Sequence, residues 1–519
     1  VLVLFLGACR SLPTDYPRSD SHVVPDADTA ATRLGRDVAA EVARHGNQSG
    51  VYLLDRGIDA FVARLALAEM ADKSLDVQYY IWHDDTTGRV LTHALLRAAD
   101  RGVRVRVILD DVGSAADDLA LLTIDAHPNI EVRLFNPLAT RKARGLGMLT
   151  DFSRTNRRMH NKSFTADNRV AIVGGRNIGD EYFEAKEDLD FGDLDTLLIG
   201  PAVPQVSQGF DRYWNDPAVI PIAALSGARP TDQEITAARA QLEAFVLSRR
   251  ASPYAEALRV SGLAQGLRAG KLDFSFGEAR VLYDDPAKAG SGAADPSKLL
   301  LPQLSAEFQG LTSELLVVSP YFVPGDGGVD ALRQLRARGV RVRVLTNALA
   351  ATDVPVVHAG YARYRRALLE AGVELYEVKP TATRAAAQRE QRRERDAGAT
   401  HGVTGSSRAS LHAKTLVFDR RALFVGSMNL DPRSVYTNTE IGVLVENPGL
   451  VDAHLARFDA ALPGMAYRVT LARTGDDAAI EWWSREDGHD VRYTQEPMTG
   501  HWQRFKVWFY SLWPIEPLL

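Results

Sequence analysis

The sequence holds a single cysteine, Cys9, among 519 residues. No intramolecular disulfide can form, and a cysteine-ligated zinc site is excluded. No apolar run reaches the ~18 residues that a membrane-spanning helix needs. Positive charge is not in surplus, since 61 Lys and Arg against 66 Asp and Glu leave a net charge of −5. The global basic field expected of a general nucleic-acid binder is therefore missing. HxH, HExxH and carboxylate clusters at ligand spacing are lacking too, so neither a metal nor another cofactor is expected. What remains is a chain 45% apolar and 24% charged, an ordinary globular composition with material for several domain-sized units.

The two ends differ from the middle. Residues 1–9 form a signal-like segment, Val-Leu-Val-Leu-Phe-Leu-Gly-Ala-Cys. The spacing Leu6-Gly7-Ala8-Cys9 is similar to a bacterial lipobox, which implies lipidation of Cys9 and an extracytoplasmic, membrane-associated protein. Residues 10–45 are polar, with Pro13, Pro17 and Pro25, and read as a tether. Residues 467–519 read as an aromatic-basic tail, in which Trp502, Phe505, Trp508, Phe509 and Trp513 are interleaved with Arg504 and Lys506. Such a segment suits a bilayer interface or a dock on the protein's own core.

Between these ends the chain repeats itself. Ser74–Trp82 and Arg101–Leu109 flank a helical stretch, as do Ser313–Phe322 and Arg338–Leu345. Leu91, Ala94, Leu95 and Ala98 form one apolar stripe at helical spacing, and Val103, Val105 and Val107 share one face of a strand. Each copy is a βαβ unit of a parallel or mixed sheet. The expected fold is α/β, with two homologous α/β/α lobes and a mixed central sheet in each. We place the lobes at 46–225 and 296–466, with a helical connector at 226–295. Residues 381–408, rich in Arg and Ala, read as a mobile insertion.

Each lobe ends its sheet on one pattern. The first copy is His160, Lys162, Asp167, Gly174-Gly175 and Asn177; the second is His412, Lys414, Asp419, Gly426-Ser427 and Asn429. The spacings from each histidine are identical, which makes chance an implausible source. Residues two apart on a strand point the same way, so each His–Lys pair projects from one face. Asp167 and Asp419 read as structural turn-fixers. Lysines, asparagines and Ser427 arranged about two histidines suit a phosphate oxyanion held without a metal.

The doubled HxK-x4-D-x6-GG/GS-xN pattern resembles that of the phospholipase D superfamily. Tyr79-Tyr80-Ile81-Trp82, Gly174–Phe183, Asp195–Val203 and Gly426–Ser434 followed by Asn438-Thr439-Glu440 look like bacterial cardiolipin synthases. The resemblance implies one active site at the lobe interface, with His160 as nucleophile forming a phosphohistidine and His412 as acid and base. Lys162, Lys414, Asn177 and Asn429 would hold the phosphoryl oxygens. Ser427 would add a donor that its counterpart Gly175 lacks. An acid beside each histidine is also implied. Glu440 opens one strand and Asp195 the equivalent strand of the first half. Asp188 matches the offset of Glu440 from its histidine, but the strand start favours Asp195.

The implied activity is phosphatidyl transfer, with phosphatidylglycerol or another glycerophospholipid as substrate and cardiolipin as product. A hydrolytic phospholipase D is the same machine with water as acceptor. A nuclease is the third reading, supported only by Arg389, Arg392, Arg393 and Arg395; no nucleic acid is expected as partner. A membrane surface is the expected partner, and the sequence leaves a partner protein open.

Overall fold

A computed structural model describes residues 12–512, apart from 47, 115–116, 142–150, 186–188, 228, 291–293, 381–407, 475–476 and 487. Cys9 and its apolar run, Asp188, the arginines from Arg389 to Arg395, and Trp513 lie outside the described residues.

The strands of the first half are β1 (Ser49–Leu54), β2 (Ser74–Tyr79), β3 (Arg104–Asp110), β4 (Ile130–Phe135), β5 (Ser163–Ala166), β6 (Val170–Gly174), β7 (Leu189–Gly192), β8 (Asp195–Ile199) and β9 (Val219–Pro221). The second half has β10 (Ser275–Tyr283), β11 (Glu314–Val318), β12 (Arg341–Asn347), β13 (Glu374–Val378), β14 (Arg408–Leu411), β15 (Thr415–Phe418), β16 (Ala422–Gly426), β17 (Ile441–Glu446), β18 (Ala466–Thr474), β19 (Asp477–Glu486) and β20 (His489–Tyr493).

The sheet orders match strand for strand. The first runs β9-β4-β3-β2-β5-β6-β8-β1, and the second β18-β13-β12-β11-β15-β16-β17-β10. In each, three neighbouring strands run parallel, β2-β3-β4 and β11-β12-β13, and the other pairs are antiparallel. This is the mixed sheet that two copies of a βαβ unit predict. The crossover helix α1 (Thr86–Asp100) buries Leu91, Leu95 and Ala98 on the expected stripe. Asp85 caps its start by accepting from Gly88 N. The valine face of β3 joins the main apolar core of its lobe. Its opposite face is buried as well. There Arg106 makes a two-bonded pair with Asp76, reaches Asp211 at 2.8 Å and stacks over Phe210 and Trp214.

The two sheets join where β1 pairs with β10, and the lobes share a core of Val51, Val173, Leu198, Val281, Val443 and Val445. Three expected boundaries shift. Strand β10, inside the expected connector, belongs to the second sheet. Strands β18 to β20, inside the expected tail, extend that sheet outward from β13. The expected tether is docked from Arg18 onward. Arg18 and Ser21 bond the chain around Trp214 to Asp216, Asp26 accepts from Arg169, and Arg33–Arg44 is a helix. Proline content suggested an extended linker, but the buried Leu34 and these polar contacts hold the segment to the first lobe.

Candidate active site

Each histidine sits just before a β-hairpin whose turn is built by the motif aspartate. Asp167 and Arg169 enclose a turn in which Asp167 and Asn168 have φ of 52° and 53°; Asp419 and Arg420 have 50° and 54°. These left-handed conformations favour Asp and Asn. The Asp167 carboxylate accepts from the backbone N–H groups of Asp72, Lys73 and Ser74, and that of Asp419 from Thr312, Ser313 and Glu314. Both aspartates thus tie their hairpin to the strand beside it. Neither touches a histidine in the contacts described.

The histidines themselves are held by the opposite lobe. A parallel bridge sets Met159 beside Thr439, and His160 follows the first as Glu440 follows the second. Strands β7 and β14 pair in parallel with Leu411 opposite Gly192, so His412 and Asp193 also emerge side by side. The result is a crossed pair of His–acid contacts. His160 Nδ1 lies 2.9 Å from Glu440, and His412 Nδ1 lies 2.5 Å from Asp193. Glu440 is further held by the Ser427 and Ser434 hydroxyls, both of which donate to it, and its backbone N–H donates to Asp284.

The expectation for Asp195 is corrected by this geometry. Asp195 accepts from the Arg64 guanidinium at 2.9 Å and from Arg176 N at 3.1 Å, and is fully buried. Arg176 in turn donates to the Asp193 carbonyl at 2.6 Å, so Asp195 supports the acid without being it. The register explains the difference. Asp195 lies opposite Gly174 on β6, and Gly442 lies opposite Gly426 on β16. Two residues before each is the acid that contacts a histidine, Asp193 or Glu440. The connection in the first half is five residues longer, which displaces the acid from the offset Glu440 suggests.

Gly175 has a steric reason. A Cβ there would stand 2.2 Å from the Asp193 carboxylate oxygen. In the second lobe the same place holds Ser427, whose hydroxyl bonds the acid directly. Lys162 donates to the carbonyl of His160 at 2.7 Å, and Lys414 to that of His412. Asn177 accepts from Ile81 N at 3.2 Å and donates to the Tyr182 hydroxyl. Asn429 Oδ1 is buried and has no hydrogen-bond partner among the described residues. Tyr80 meets His160 edge-on at 5.2 Å, and Tyr182 meets His412 in the same way.

Electrostatics tie both motifs into one site. Burial pushes His160 down to about 4, opposed by Glu440 and assisted by both lysines. His412 is also lowered, first by burial and then by Lys414. Burial brings Lys162 down to about 7, with repulsion from Lys414 adding to it and Glu440 opposing it, and burial brings Lys414 down to about 8 against the pull of Asp193 and Glu440. Burial raises Asp193 and Glu440, but their histidines and lysines outweigh it and hold both below the usual carboxylate range. Such a site has two cations whose charge is costly while it is empty and favoured once a phosphate enters.

Asp193, Tyr182 and Ser434 escaped the sequence reading as site residues. Ser434 had a signal, since Gly426–Ser434 was already singled out, but nothing in its spacing shows a bond to Glu440. Among the described residues, His83, Asp85 and Glu181 form a group with ligand atoms within 4.8 Å of one another. Asp85 there already caps α1 and accepts from Asp180 N.

The family described as "Cardiolipin synthase, PLD-like domain" matches residues 65–214 and 304–462, one stretch in each lobe. Cardiolipin synthase C of Escherichia coli K12 is 44% identical over 94% of this chain and 100% of its own. Cardiolipin synthase A of Pseudomonas putida KT2440 is 27% identical over 78% of this chain and 66% of its own. The crystal structure of phosphatidylserine synthase from Haemophilus influenzae Rd KW20 superposes with a TM-score of 0.54 at 16% identity, covering 83% of this chain and 92% of that one, and shares the fold. With both lobes matched and a full-length relative at this identity, the chain belongs to the phospholipase D superfamily, in its family of cardiolipin synthase PLD-like domains.

Proposed function

We propose that this protein is a phosphatidyltransferase that makes cardiolipin. The observation that carries the reading is the crossed pair of His–acid contacts, with a lysine beside each histidine. In each pair the carboxylate engages Nδ1, which leaves Nε2 as the nitrogen for chemistry. His160 Nε2 attacks phosphorus in phosphatidylglycerol. The N–P bond forms as the P–O bond to the headgroup glycerol breaks, and His412 gives the departing oxygen its proton. The acceptor hydroxyl of a second phosphatidylglycerol then returns a proton to His412 and attacks phosphorus, freeing His160. Lys162 and Lys414 stabilise the charge on the non-bridging oxygens. The relatives named cardiolipin synthase support this choice of acceptor.

The enzyme works at a membrane surface in this reading, with Cys9 as the lipid anchor suggested by Leu6-Gly7-Ala8-Cys9. The C-terminal helix His501–Ser511 supports a surface role. Val507 and Tyr510 pack it against Leu349 and Ala359, while Trp502, Phe505, Trp508, Phe509 and Leu512 are exposed. The helix also carries Arg504 and Lys506 and no acid. No helix among the described residues is long and apolar enough to cross a membrane.

The test is to incubate the purified protein with phosphatidylglycerol in vesicles and read products by mass. Cardiolipin with glycerol is expected. Phosphatidic acid as the main product would make the protein a hydrolase, and no lipid product would overturn the reading.

A further inference from the structure

A cavity of about 590 Å³ lies in the first lobe beneath helix Asp232–Arg249, which bridges α1 and helix Asp118–Asp125. This volume is in the range of small-ligand pockets. Its lining is mostly apolar, with Leu95, Leu96, Leu109, Leu121 and Ile124 among it, interrupted by Thr92, Thr123 and Gln241. The roof helix turns Ala238, Leu242 and Phe245 toward the cavity at i, i+4, i+7 spacing, and none of the three is fully buried. Apolar side chains facing an apolar floor ordinarily close on it; here space remains between them.

The charged groups at the rim are already engaged. Arg89 pairs with Asp84, Arg239 with Asp100, and Asp117 caps the helix it precedes. What the cavity offers a ligand is therefore mainly hydrocarbon surface. Its position ties it to the active site. Trp82 and Ser114 are among its lining residues. Ile81, next to Trp82, donates to the side chain of Asn177, and Tyr80 lies against His160. Gly113, next to Ser114, packs so closely that a Cβ would stand 2.3 Å from the Tyr80 carbonyl.

We infer that this cavity takes one acyl chain of the glycerophospholipid whose phosphate sits between His160 and His412. The inference rests on the phosphatidyl-transfer reading and adds to it a chain-binding subsite. A chain held there draws the lipid partly out of the bilayer and fixes the phosphate relative to Tyr80 and Asn177. The roof helix, held by the Arg239 pair and by Arg89 stacked on Phe245, sets the depth of the slot.

Two measurements test it. The first is photolabelling of the full chain with a phosphatidylglycerol that carries a diazirine in mid-chain, in detergent micelles, followed by peptide mapping. Adducts are expected in peptides covering 82–124 and 232–249; adducts confined to other segments overturn the inference, whether or not the lipid turns over. The second compares kcat/KM for dipalmitoyl and dioctanoyl phosphatidylglycerol at equal surface fraction. Ala238→Trp, which fills the slot, should lower the long-to-short ratio at least tenfold. Ala237→Trp, on the solvent side of the same helix, should leave the ratio unchanged. A ratio that both variants leave alone, or both lower equally, also overturns it. Absence of turnover on either lipid with labelling retained at the cavity would count against the transfer reading alone.

Discussion

Glu440 of the second lobe holds the Nδ1 of His160 of the first at 2.9 Å, and the two residues are 280 positions apart in sequence. Asp193 returns the exchange to His412. The acids are thus distinguished from their neighbours by register and not by residue type, which gives a sharp test. Asp193→Asn should lower kcat by about 10³-fold with the fold intact, since the wrong tautomer of His412 is then favoured. Asp195→Asn should instead destabilise, by about 3–5 kcal/mol, because it leaves Arg64 buried without its partner. Steady-state kinetics with thermal melts on both variants checks the pair. Equal kinetic loss with equal melting temperatures would contradict the assignment.

The roles of the two histidines separate with a leaving group that needs no proton. A phosphatidyl p-nitrophenol ester should give a burst of about one nitrophenolate per enzyme with His412→Asn, and a mass adduct on the peptide containing His160. His160→Asn should give neither. An adduct on His412 in the second variant would reverse the roles.

The pH dependence follows from the lysines. Burial lowers Lys162 to about 7 and Lys414 to about 8, so in the free enzyme both lose charge as pH rises through this range. The charged forms bind the phosphodiester. kcat/KM should therefore fall as pH rises, first as His412, lowered by burial and Lys414, gives up the proton its acid role needs, and again as the lysines lose charge between about 7 and 8. In the complex the bound anion favours the charged lysines, so the alkaline limb of kcat should lie at higher pH. Identical limbs for both parameters would argue that the lysines do not meet the phosphate. The same logic predicts that treatment with a chelator leaves activity on micellar substrate unchanged, because the cations are covalent parts of the chain.

Trp502 is 65% exposed and Trp508 57%, so replacing both by Ala should cost little stability. Sedimentation with anionic vesicles should weaken by about tenfold or more, given ~1.5–3 kcal/mol for burying each large apolar side chain. Turnover of monomeric short-chain lipid should stay near the parent value. Unchanged sedimentation would assign this face to something other than a lipid surface.

The doubled βαβ units, the mixed sheets and both His–Lys pairs were legible because each leaves a local trace, either a periodicity or a repeated spacing. Glu440 was legible for a related reason, as it stands immediately before a clear strand. Asp193 was not. Its place depends on the pairing of β7 with β14, two short segments from different lobes whose sequences carry no mark of each other. Asp195 attracted the assignment because a strand start is visible and sheet register is not. The docking of residues 18–44 was hidden likewise, since it rests on scattered polar contacts such as Arg18 with the Asp216 carbonyl.

The crossing of the acids has a bearing on how such a chain arose. Under a two-fold relation, a contact from i to j implies one from j to i. Two copies of a single half would already form both His–acid pairs, whereas one copy would hold a histidine without its acid and an acid without its histidine. A half on its own therefore completes its histidine–acid contacts only by pairing with a second copy. The tandem arrangement fixes the ratio of the halves at one to one and then releases each to diverge, which is where Gly175 against Ser427, and Asp193 against Glu440, find their licence to differ.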